Sequence, residues 1–196
     1  MPYAVIYALI GYLSGSVLYA EVFCGIFGRK NAIEQSRDAN PGTANAFLYG
    51  GFWCGICTLI FDMAKGFVPV YAYVHMTQMN LAESNGLALV LAAPVAGHIF
   101  PVWHHFKGGK GIACTAGLLV AFCPFEIPVC LALFVLAVAI TRYVSVGSIL
   151  VVLSFLLQTV IFGQMGWFHV SEGYLPELYI LSAVITGMAI WRHKSN

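Results

Sequence analysis

Residues 127–162 read IPVCLALFVLAVAITRYVSVGSILVVLSFLLQTVIF, and Arg142 is the only charged residue among them. Arg142 divides the stretch into two apolar runs, Ile127 to Thr141 and Val146 to Phe162, and a helical membrane crossing takes about 20 apolar residues, fewer if it is short or broken. The whole chain has the same character: of its 196 residues 60% are hydrophobic and 9% charged. A soluble domain carries roughly a quarter charged residues, so this chain cannot cover itself with a water-compatible surface. It belongs in lipid.

Further apolar runs extend from Pro2 to Phe23, Gly51 to Val74, Leu87 to Val102, Ile112 to Phe122 and Leu178 to Trp191. The third, fourth and fifth runs in chain order fall short of a full crossing, as helices do when they stop inside the membrane beside a wet cavity. The expectation is an all-α polytopic membrane bundle of about seven transmembrane helices, a single integral membrane domain over residues 1–196. Seven crossings gather Arg29, Lys30, Arg37, Lys107, Lys110, Arg142, Arg192 and Lys194 on one side, in loops 24–50, 103–111 and 142–145 and the tail. The opposite loops, which carry Glu83, Glu126, Glu172 and Glu177, contain no Lys or Arg. The positive-inside rule makes the first side cytoplasmic, with the amino terminus outside and the carboxyl terminus inside.

The net charge of +1 provides no global field to attract nucleic acid, so any anion site must be local. Cys24, Cys54, Cys57, Cys114, Cys123 and Cys130 lie in or beside apolar runs and read as small packing residues, not as a disulfide framework. Cys54 and Cys57 form a lone CxxC without a second pair or a suitably spaced His, which is a poor metal site. No basic region precedes the first apolar run, which therefore reads as a retained crossing.

The strongest chemical signal is Lys107-Gly108-Gly109-Lys110-Gly111. Three glycines let successive backbone N–H groups turn inward on an anion, the following helix aims its positive dipole end at the same point, and two lysines add full charges. The pattern is not a Walker A loop, because His104 and Gly111 occupy the positions that pattern gives to Gly and to Ser or Thr. A flexible basic loop that only obeys the positive-inside rule is the alternative. A second polar cluster runs from Ser36 to Asn45, with Arg37, Asn40-Pro41-Gly42, Thr43 and Asn45 combining turn chemistry with side chains that cap helices or bind hydroxyls.

Asp62 and Lys65 lie one helical turn apart and can pair. Each charge alone costs about 2.5 to 3.5 kcal/mol at a helix centre on insertion scales, so both mark a bundle interior, as a structural brace or a wet site. Glu21 is interfacial or lines the cavity. His98 is a hydrogen-bonded strut or a proton carrier, and with His104 and His105 it does not match a known metal spacing. Ser145 and Ser148 follow Arg142 with no nucleophile elbow or partnered base, which favours capping or ligand binding over covalent catalysis.

Taken in order, Gly15-Ser16, Asn40-Pro41-Gly42 with Asn45, Asp62-x-x-Lys65-Gly66, Gly97-His98-x-Phe100-Pro101, Lys107 to Gly111 with Thr115, Arg142-Tyr143-x-Ser145-x-x-Ser148 and Arg192-His193-x-x-Asn196 resemble the bacterial acyl-phosphate:glycerol-3-phosphate acyltransferase family nearly end to end. The resemblance implies a monomeric seven-span enzyme of the bacterial inner membrane, its site facing the cytoplasm. It would move a fatty acyl group from acyl phosphate to the 1-hydroxyl of glycerol 3-phosphate, with no metal and no coenzyme A. On this resemblance Lys107, Lys110, His98 and Ser145 are the expected catalytic residues. Ser16, Arg37, Asn40, Gly42, Thr43, Asn45, Asp62, Lys65, Gly108, Gly109, Gly111, Arg142, Ser148, His193 and Asn196 are the expected substrate-binding residues. Acyl phosphate is already activated, so positioning and charge cancellation suffice, and the substrate phosphate is thought to help remove the hydroxyl proton.

The chain departs from the family's second motif, which reads GSGNPGATN followed by an Arg. Arg37, Asp38 and Ala39 stand for Gly, Ser and Gly, Thr43 and Ala44 are exchanged, and Leu48 replaces the Arg. The loss of a hydroxyl and a guanidinium together with the gain of Asp38 is expected to weaken a dianion site, with Arg37 as a substitute cation from the neighbouring position. Transfer to a different acceptor, or transport of a phosphorylated small molecule, are the alternatives.

Overall fold

The computed structural model describes residues 2–76, 86–168, 170 and 172–194, and among them it is all helical. Its helices are α1 (Pro2–Gly15), α2 (Tyr19–Ile26), a one-turn α3 (Thr43–Asn45), α4 (Phe52–Met76), α5 (Leu87–Ile99), α6 (Ile112–Phe122), α7 (Ile127–Thr141), α8 (Val144–Gln164) and α9 (Leu175–His193). Five helical segments are long and apolar enough to cross a membrane, and the bent pair α1 and α2 makes a sixth. Helix α6, at 11 residues, is a shorter apolar helix. Glu83 lies outside the described residues.

Three expectations are corrected. The first span is not continuous: α1 and α2 meet at a 41° bend. Ser16 turns its hydroxyl back onto the Tyr12 carbonyl at 2.8 Å, and the break leaves the Val17 carbonyl without a helical donor. Lys65 supplies one, at 2.6 Å. The third and fifth runs are also longer than expected, because one-turn 3-10 helices at Val102–His104 and Pro124–Glu126 extend them to 18-residue segments. Finally, Glu126, expected in an outer loop, ends a 3-10 turn. It is fully buried, with its Oε1 accepting from the Thr159 hydroxyl at 3.4 Å, because the 3-10 turn at Pro124–Glu126 continues into α7 and carries the side chain against α8.

Helix α1 packs along α5, and α4 along α6. Both seams are closed by glycines: a Cβ at Gly15 would collide with the Pro94 carbonyl and one at Gly97 with the Tyr12 carbonyl, while Gly66 and Gly117 meet the carbonyls of Cys114 and Met63. Lipid offers no hydrophobic force between helices, so close backbone packing of this kind holds them together. The outward faces are correspondingly apolar, as at Ile140, which is 72% exposed. The two seams bring the middle of α4, the end of α5 and the start of α6 to one place.

Candidate active site

The inner layer of the site sits on α4 and α5. Asp62 and Lys65 pair at 2.8 Å, their side chains 0% and 1% exposed, and His98 places Nδ1 3.7 Å from the same Asp62 oxygen. Lys65 also lies over the Tyr19 ring, 5.5 Å from its centroid. The amine therefore ties α4 to the break between α1 and α2. A charge buried this deeply persists only when paired and hydrogen-bonded, and both conditions are met at Lys65.

The outer layer joins the two polar loops. Lys110 reaches Asp38 Oδ2 at 2.9 Å. Asp38 Oδ1 accepts from Asn45 Nδ2 at 2.7 Å and from the Asn40 N–H at 3.3 Å. The same Asn45 amide also donates to Ser36 Oγ at 2.9 Å and to the Asn40 carbonyl at 2.9 Å. Burial alone would raise the Asp38 carboxyl, but hydrogen bonds from Asn45 and Lys110 and the Lys110 charge outweigh it, and the group is held below the usual carboxylate range. Asp38, expected only to disfavour an anion, is the link between the loops.

The glycine loop is built differently from expectation. The N–H of Gly108 donates to the Ile99 carbonyl at 3.1 Å, and that of Gly109 to the His98 carbonyl at 3.0 Å. These two donors close the end of α5 and are not turned on an open anion seat. Glycine is needed here for another reason: a Cβ on Gly108 would strike the His98 carbonyl, and one on Gly109 the His98 imidazole. Gly111, at φ +82°, turns the chain into α6. Arg192 donates through Nη2 to the Gly108 carbonyl and so fastens α9 to the loop. His193, buried, donates through Nδ1 to the Ala189 carbonyl at 2.7 Å.

Several expected residues stand apart from this cluster. Lys107 and Arg37 are exposed, and neither has an ion-pair partner among the described residues. Arg142 is exposed at φ +62°, where it caps the end of α7, with Ser145 partly and Ser148 fully buried in the first turns of α8. Ser16 is fully buried at the α1 break, and its Oγ also accepts from the Val102 N–H at 3.4 Å. Thr43 Oγ1 is buried without a hydrogen-bond partner, and Gly42 precedes α3 in extended conformation. Asn196 lies outside the described residues. Leu48 is 72% exposed and adds nothing polar to the cluster.

Sequence reasoning missed three contributors: Arg192 as an anchor of the loop, Ser36 as an acceptor for Asn45, and the Glu21–His104 contact at 3.3 Å that ties α2 to the 3-10 turn after α5. The Arg192 signal was a guanidinium directly ending an apolar run, which reads equally well as a topology marker.

Known proteins resemble this chain nearly from end to end. A sequence model of the glycerol-3-phosphate acyltransferases matches residues 5–196. A glycerol-3-phosphate acyltransferase of Endomicrobium trichonymphae is 35% identical over 98% of this chain and 89% of its own length. One from Legionella pneumophila (strain Lens) is 34% identical over the full chain, which spans 65% of that longer relative. The crystal structure of PlsY (YgiH), an integral membrane glycerol 3-phosphate acyltransferase in its glycerol 3-phosphate form, superposes with a TM-score of 0.82 at 28% identity, over 97% of this chain and 88% of that one. With the family model covering nearly every residue and the same fold in a membrane enzyme, the chain belongs to the glycerol-3-phosphate acyltransferase family.

Proposed function

We propose that this protein transfers a fatty acyl group from acyl phosphate to the 1-hydroxyl of sn-glycerol 3-phosphate, releasing lysophosphatidate and inorganic phosphate. The observation that supports this most is the meeting of the two polar loops at Lys110, Asp38 and Asn45, above a buried Asp62–Lys65–His98 layer. Both substrates carry phosphate, and Lys110 is the cation the fold delivers to the junction. The hydroxyl oxygen attacks the acyl carbonyl carbon, the bond from that carbon to the phosphate oxygen breaks, and the hydroxyl proton ends on phosphate. No covalent enzyme intermediate is needed. Fixed positive charge at Lys110 holds the phosphate of glycerol 3-phosphate, and positioning of its 1-hydroxyl against the acyl carbonyl supplies the rest.

In this reading the chain crosses the membrane of a bacterial cell seven times as a monomeric single domain, with the amino terminus outside and the site facing the cytoplasm. The segregation of Arg and Lys supports the orientation. Purified protein is expected to release phosphate from palmitoyl phosphate only when glycerol 3-phosphate is present, with lysophosphatidate appearing in equal amount. Lys110→Ala should lower kcat/KM on the order of 100-fold. Wild-type turnover from Lys110→Ala would remove the junction from the mechanism.

A further inference from the structure

The cation at the junction of the loops already holds an anion. Lys110 Nζ and Asp38 Oδ2 are 2.9 Å apart, with side chains only 16% and 13% exposed. The carboxylate is not a passing contact, because its second oxygen is fixed by Asn45 Nδ2 at 2.7 Å and by the Asn40 N–H at 3.3 Å. A carboxylate oxygen on an ammonium group takes the same place, with the same sign and distance, as a phosphate oxygen would. Two anions cannot share one ammonium without repulsion, and Leu48, apolar and 72% exposed, brings no second cation to the junction.

We infer that Asp38 is a specificity-determining residue that competes with the acceptor's phosphate for Lys110, so that glycerol 3-phosphate binds only by exchanging the Lys110–Asp38 ion pair for a Lys110–phosphate one. This rests on the acyl-transfer reading above. The competition weakens acceptor binding, and it favours the species with the greater negative charge at the phosphate. The Asn45 amide stays bonded to Ser36 Oγ and the Asn40 carbonyl when the carboxylate moves off, so the loop retains its shape during the exchange.

The test compares wild type with Asp38→Asn, which is isosteric but uncharged, and with Asp38→Ser. Removing a competing charge from a partly buried ammonium is worth about fivefold in affinity, so KM for glycerol 3-phosphate should fall about fivefold in both variants. The inhibition constant of inorganic phosphate should fall with it. A carboxylate serving only to brace the loop gives the opposite sign: both constants rise when it is removed, and that result, or no change in either, overturns the inference. Stabilisation of the purified proteins by inorganic phosphate, followed by thermal unfolding, reads the same competition without catalysis. Wild type that binds phosphate yet never consumes acyl phosphate with glycerol 3-phosphate overturns the acyl-transfer reading instead.

Discussion

Replacing Lys65 by Met isolates what the buried charge pair does. In the native chain its amine lies 2.8 Å from Asp62, 2.6 Å from the Val17 carbonyl and 5.5 Å from the centre of the Tyr19 ring. Met fills most of the same space but returns none of these contacts. Asp62 is then a carboxylate in apolar surroundings with no cation, which costs about 3 to 5 kcal/mol. Adding Asp62→Asn to the same chain removes the orphaned charge and leaves only the unmatched Val17 carbonyl, a penalty of about 1 to 3 kcal/mol. The double variant should therefore be more stable than Lys65→Met alone, although it carries one more substitution. A double-mutant cycle on unfolding of the detergent-solubilised protein measures this directly. If Lys65→Met loses less than about 1 kcal/mol, or if the double variant is no more stable than the single one, the pair is not the brace described here.

Two further substitutions test the loops. Gly108→Ala should cost about 1 to 3 kcal/mol by overpacking and should also disrupt activity, because the new methyl faces the main-chain carbonyls of His98 and Ile99, which cannot rotate away; thermal unfolding together with the phosphate-release assay checks both. Ala39 holds φ +46°, a left-handed conformation that suits glycine, so Ala39→Gly should stabilise the protein by about 1 kcal/mol, visible as a raised midpoint of thermal unfolding.

Helices α6 and α7 run over Ile112–Phe122 and Ile127–Thr141, the limits read from composition alone, because Gly111 and Arg142 stop the apolar runs where left-handed residues cap the backbone. The break after Gly15 was invisible to the same reading. Ser16, Val17 and Leu18 are no more polar than their neighbours, and the donor that makes the break tolerable, Lys65, lies 48 positions away. The Asp62–Lys65 pair was legible because i to i+3 spacing on a helix is a local property. The use of the glycine loop was not. Glycine spacing shows where the chain can approach another closely, whereas the direction of the Gly108 and Gly109 N–H groups depends on where α5 ends. Asp38 shows the same limit from the other side: beside an anion motif it reads as a defect, and only the folded distance to Lys110 makes it the joint between the loops.

The paired seams at Gly15 with Gly97 and at Gly66 with Gly117 also set how the chain can vary. At these four places the neighbour is main-chain carbonyl, so any larger residue must push two helices apart along their length, and the shift is carried to Asp62, Lys65 and His98 on the same helices. A residue with no side chain to offer a substrate thus has an alphabet of one letter, while the outward apolar positions accept any side chain that lipid tolerates. Tolerance to substitution should follow the distance between backbones, not the distance to the chemistry.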